Sequence, residues 1–124
     1  MGTQEQKEEF KKRIMKYVVR LIRFLKCIPT DPVTDEIKKQ IVRSGSSVGA
    51  NYFESVSASS KKDFILFFRH SLKSANETSY WLRLLAESDC LPKDLESEYA
   101  WLARETDELS KILTSSILTM KQKP

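Results

Sequence analysis

The sequence contains one histidine, two cysteines and 17 carboxylates, and these bound the chemistry it can perform. A di-iron helical bundle needs two Glu-x-x-His pairs, which His70 alone cannot supply. Some helical-bundle ribonucleases place an arginine a short way upstream of their histidine. Here those positions hold Asp63, Phe64 and Ile65. Cys27 and Cys90 form no metal or redox motif, and no histidine is placed to activate either thiol. No Gly-rich phosphate loop, nucleophile elbow or zinc pattern occurs. The expectation is a protein without catalytic residues, metal or cofactor.

What remains is charge. Residues 1–28 carry eight Lys/Arg against three Glu, while residues 87–108 carry eight Asp/Glu against two Lys/Arg. Within the first region Lys12, Lys16, Arg20, Arg23 and Lys26 fall in an arc of roughly 120° on a helix. Such a stripe can follow a phosphate backbone, releasing a counterion for each phosphate neutralised. It can equally be the solvated face of a bundle helix, partly neutralised by the acidic region. No recognition-helix, zinc-finger or base-stacking motif accompanies it.

The elements that carry these residues follow from apolar spacing. Phe10, Ile14, Tyr17, Leu21, Phe24 and Ile28 recur at alternating steps of four and three, the rhythm of one helix face. Pro29 ends the run. Asp31-Pro32 reads as an N-cap followed by proline at the first helical position, opening a stripe of Ile37, Ile41, Ser44, Val48, Asn51 and Ser55. The middle of that helix is small and polar, and its two glycines cost about 1 kcal/mol each relative to alanine. Close approach of a neighbouring backbone would explain them.

Ser60 and Asp63 form an approximate capping box ahead of Phe64, Phe68, Ser71, Ala75, Thr78, Leu82 and Leu85. Pro92 opens the last stripe: Leu95, Tyr99, Leu102, Thr106, Leu109, Leu113, Ser116 and Met120. Helices are thus expected over about 5–28, 32–56, 60–88 and 92–121. Short connections force antiparallel neighbours, so the fold class is all-α, one up-down-up-down four-helix bundle spanning 1–124. Cys27 and Cys90 then lie at one end, where a disulfide is conceivable but two thiols are expected in a reducing compartment. No apolar run reaches the roughly 18 residues that span a bilayer, and the N-terminal segment has neither a signal-peptide core nor a myristoylation serine. A cytoplasmic protein that makes no membrane contact is expected.

Residues 40–85 carry a more specific pattern. It runs Gln40-Ile41-Val42-Arg43-Ser44-Gly45-Ser46-Ser47-Val48-Gly49-Ala50-Asn51, then Glu54, Lys62-Asp63-Phe64, Leu72-Lys73, Ala75, Glu77-Thr78 and Tyr80-Trp81-Leu82-Arg83-Leu84-Leu85. This resembles the four-helix bundle family named after the 23S rRNA intervening-sequence protein. Ser55 stands where the family favours alanine, and Ser74 replaces a common glutamate. The resemblance implies an antiparallel four-helix bundle, a homopentameric ring and an origin in bacterial genes found within intervening sequences of rRNA genes. The family is similar in fold to accessory proteins of diversity-generating retroelements, which bind nucleic acid and a reverse transcriptase.

The matched polar residues Arg43, Asn51, Glu54, Lys73 and Glu77 are expected to form a network between helices two and three. Antiparallel geometry favours Arg43 with Glu77 over Glu54 with Lys73. Phe53, Phe67, Trp81 and Trp101 lie outside the stripes, either as a wide core flank or at a subunit interface, and the implied ring favours the interface. The leading expectation is a non-enzymatic homo-oligomer that associates with RNA or DNA through helix one. The alternative is a protein–protein adaptor whose charges confer only solubility.

Overall fold

A computed structural model describes residues 2–123. Four helices follow one another: α1 (Gln4–Lys26), α2 (Pro32–Val56), α3 (Lys61–Glu87) and α4 (Glu96–Gln122). The expected ends at 1 and 124 lie outside the described residues. Each helix packs against its neighbours in sequence, and α4 closes back on α1, giving the antiparallel bundle.

The starts of the first three helices are built by side chains. Thr3 and Gln6 form a full capping box at α1, with the Gln6 N–H donating to the Thr3 hydroxyl at 3.0 Å. Asp31 accepts from the Thr34 N–H at 3.0 Å, and its carboxyl is held below the ordinary range chiefly by that backbone bond. At α3 only the serine half of the expected box forms, with Ser60 accepting from the Asp63 N–H at 3.1 Å. Pro92 leads through a 3-10 turn, Lys93–Leu95, into α4. The turn before it is closed by Asp89 at φ 59°, a left-handed position more often filled by glycine or asparagine.

The core is the expected one over most of its length. Phe10, Ile14, Tyr17, Leu21, Phe24 and Ile28 of the α1 stripe are all buried, as are Phe68, Leu82, Leu85, Leu102, Leu109 and Leu113. Phe64, Leu95, Tyr99 and Met120 of the expected stripes are only half-buried, and two positions change identity. Tyr52 is fully buried where Asn51 was expected to face the core, and Ile117 is buried in place of Ser116. A strict four-three alternation has a period of 3.5 residues, whereas a straight helix turns every 3.6, which accounts for the shift near the end of α4. In α2 the stripe returns to buried Ser55.

The small residues of α2 serve two neighbours. Toward α3, the Ser71 hydroxyl donates to the Val48 carbonyl at 2.7 Å, and Thr78 donates to Ser44 at 2.8 Å. Toward α1, a Cβ on Gly45 would lie 2.3 Å from Leu21 Cδ2, and one on Gly49 would lie 3.3 Å from Ile14 Cγ2 and Val18 Cγ2. The glycines therefore admit side chains of α1, not a neighbouring backbone. Every buried polar side-chain atom among the described residues has a hydrogen-bond partner.

Candidate nucleic-acid interface

The α1 stripe divides when α4 is packed beside it. Arg20 donates from Nε and Nη2 to the two carboxylate oxygens of Glu98, at 2.6 and 2.8 Å. Its guanidinium carbon lies 3.6 Å from the centre of the Trp101 ring. Arg13 grips Glu105 in the same way, with both bonds at 2.8 Å. The spacing of seven residues on both helices brings the two forks onto one seam. The expectation that Arg20 belongs to the free stripe is thereby corrected, because the guanidinium is already spent on Glu98 and Trp101.

These pairs shift the groups that form them. The Arg20 hydrogen bonds hold the Glu98 carboxyl below its ordinary value, and Glu105 raises the Arg13 pKa. Between the forks, the Tyr17 hydroxyl and Thr106 share a buried hydrogen bond of 2.6 Å. Burial pushes the Tyr17 phenol up to about 12. The α1–α4 seam is thus held by two Arg–Glu forks and a buried hydroxyl pair.

Four cations of the stripe remain on the outward face of α1. Lys12, Lys16, Arg23 and Lys26 are exposed. Only Lys12 has a carboxylate near it, Glu9 at 3.6 Å, and both side chains of that pair are mostly in solvent. Val19, 36% exposed, sits among them.

Beside the cations lies an apolar face shared by α1 and α2. Met15 is 50% exposed and Val42 42%. Ile14, Met15, Val18, Gly49, Ala50 and Phe53 line a groove of about 300 Å³ there, with Ser46 and Glu54 at its edge. The Lys11 ammonium lies 4.8 Å from the Phe53 ring centre.

Of the expected polar network, one ion pair forms. Arg43 hydrogen-bonds to Glu77 across α2 and α3, and Glu77 also accepts from the Trp81 indole N–H at 3.2 Å. Asn51 instead turns along its own helix to the Ser47 carbonyl and hydroxyl, at 2.9 and 2.8 Å. Ser47 in turn bonds Ser74 at 2.9 Å. Glu54 and Lys73 are both exposed and make no ion pair with each other, because the antiparallel register places Glu54 toward the start of α3.

The four aromatics expected at one interface are distributed over several faces. Trp101 lies under Arg20, Trp81 serves Glu77, Phe67 meets the exposed His70 edge-on, and only Phe53 joins the apolar groove. Cys27 and Cys90 are free thiols. Among the described residues no cluster of His, Cys, Asp or Glu suits a metal ion, and no helix is long and apolar enough to cross a membrane. Sequence reading missed Arg13, although the matched seven-residue spacings of Arg13/Arg20 and Glu98/Glu105 carry the signal.

The model of the 23S rRNA-intervening sequence protein family matches residues 6–115. Among solved structures, the chain is similar to a protein of unknown function from the S23 ribosomal protein family of Bacteroides thetaiotaomicron VPI-5482. That likeness has 33% identity and a TM-score of 0.74, and covers 90% of this chain and 96% of the other. No curated protein matches the chain significantly.

Proposed function

The chain belongs to the 23S rRNA-intervening sequence protein family, and from that premise we propose a non-enzymatic, cytoplasmic homo-oligomer that associates with RNA or DNA through α1. The observation that carries this reading is the outward row of Lys12, Lys16, Arg23 and Lys26, exposed after α4 has taken Arg13 and Arg20. The acidic residues of α4 pair with α1 only along the seam. They reach none of these four.

The apolar α1–α2 face supports assembly. Half-exposed Met15 and its apolar neighbours are costly to leave in water, and a second copy of the chain would cover them. Each added copy would bring another α1 row to the same particle, a pentameric ring bringing five. Weak single patches would then act together.

Binding of this kind rests on phosphates and is tolerant of sequence. The test is retention of labelled structured RNA and duplex DNA at low salt, followed by a salt titration. Retention that falls steeply with salt is expected. No retention of either polymer at low salt contradicts the proposal.

A further inference from the structure

A second cationic surface lies away from α1. On α3, Lys62, Leu66, Arg69 and Lys73 stand one above another at steps of four, three and four, and all are exposed. Where the first half of α3 meets the end of α4, a groove of about 540 Å³ is lined by Lys61, Lys62, Ile65, Leu66, Arg69 and Lys121. Its lining includes no carboxylate and no aromatic ring. Leu66 is 44% exposed at its edge.

Three of the four cations of this groove are without an ion pair or hydrogen bond to a carbonyl. Lys61 donates to the Lys123 carbonyl at 2.6 Å, while Lys62, Arg69 and Lys121 make no ion pair. Helices α1 and α3 each pack on α2 and α4, so the groove is across the bundle from the α1 row.

The composition of the groove selects among anionic partners. A phosphate backbone would use the cations but would cover Ile65 and Leu66 with charge, and no ring is present on which a base could stack. An apolar ridge flanked by carboxylates satisfies both features. We propose that the α3–α4 groove docks an acidic amphipathic helix of a partner protein. Its apolar ridge would rest on Ile65 and Leu66, and its carboxylates would face Lys62, Arg69 and Lys121. This inference does not depend on nucleic-acid binding by α1.

The test uses three labelled probes on the intact protein, read by fluorescence anisotropy at about 0.15 M salt. One is a synthetic helix with leucines at i, i+3, i+4 and i+7 between glutamates, one is its scrambled sequence, and one is a duplex RNA. The ridge peptide should bind saturably and at least about tenfold tighter than the scrambled one. Leu66→Glu and Arg69→Glu should each weaken it about tenfold, while Lys16→Glu leaves it unchanged. Both groove positions are exposed, and thermal melts check that the variants fold.

Equal binding of ridge and scrambled peptides overturns the proposal, as does absence of peptide binding. RNA binding lost in Arg69→Glu but kept in Lys16→Glu overturns it in favour of a nucleic-acid groove. A native mass lowered by Leu66→Glu overturns it in favour of a second copy of the chain.

Discussion

Arg20 of α1 and Glu98 of α4 meet through two parallel hydrogen bonds of 2.6 and 2.8 Å, with the Trp101 ring beneath the guanidinium. Fork geometry and stacking both require arginine. Arg20→Lys keeps the charge but should lower the melting temperature, whereas Lys16→Arg on the open face should leave it unchanged. Because Glu98 is depressed in the folded state, its contribution is complete above the ordinary value of 4.5 and is lost as pH falls through the lower folded value. Glu98→Gln should therefore flatten the acid limb of a stability–pH curve. An acid limb identical to wild type would contradict the pairing.

The second fork admits a magnitude. Glu105 is only 13% exposed beneath Arg13, so its pair is better shielded than a typical surface bridge. A double-mutant cycle of Arg13→Ala and Glu105→Ala should give a coupling of about 1 kcal/mol, near the top of the surface range. Additive single effects would show that the fork contributes nothing beyond its parts.

The glycine seam separates two substitutions of the same type. Alanine gains about 1 kcal/mol of helix propensity over glycine at either site. At Gly45 the new Cβ meets the fully buried Leu21 at 2.3 Å, and overpacking of that kind costs about 1–3 kcal/mol, so Gly45→Ala should destabilise. At Gly49 the contacts are 3.3 Å, and the gain and cost should cancel to within about 0.5 kcal/mol. Urea unfolding of the two variants checks the order, and an equal effect at both sites would refute it.

Nucleic-acid binding should depend on the free cations and not on the paired ones. Lys16→Glu with Arg23→Glu removes two phosphate contacts, so the log–log salt slope on duplex DNA should fall by roughly 1.8. Arg20→Ala should leave that slope unaltered, since its guanidinium faces Glu98. A slope that responds equally to both changes would show that the fork opens on binding.

Much of this was legible in the sequence because helix faces and proline breaks are local. The α1 stripe and the Asp31 cap follow from spacing alone, and the Arg43–Glu77 clasp from the family resemblance combined with antiparallel register. What spacing could not fix was which of two adjacent residues faces the core, where Tyr52 and Ile117 replace Asn51 and Ser116. Nor could it show how long side chains are spent. Arg20 looks equivalent to Lys16 in one dimension, and only the seam with α4 distinguishes them. Three cations of the α3–α4 groove, Lys61, Lys62 and Arg69, share α3, and Lys121 joins them only when the bundle closes.

The central claim, assembly through the apolar α1–α2 face so that α1 rows act together, is tested most directly by native mass. Wild-type protein at micromolar concentration should appear as a multiple of the 14.4 kDa chain, five copies for a pentameric ring. Met15→Glu, placed at the half-exposed centre of that face, should reduce it to single chains while leaving the helical signal intact. A wild-type particle of one chain would contradict the assembly and the multivalent binding built on it.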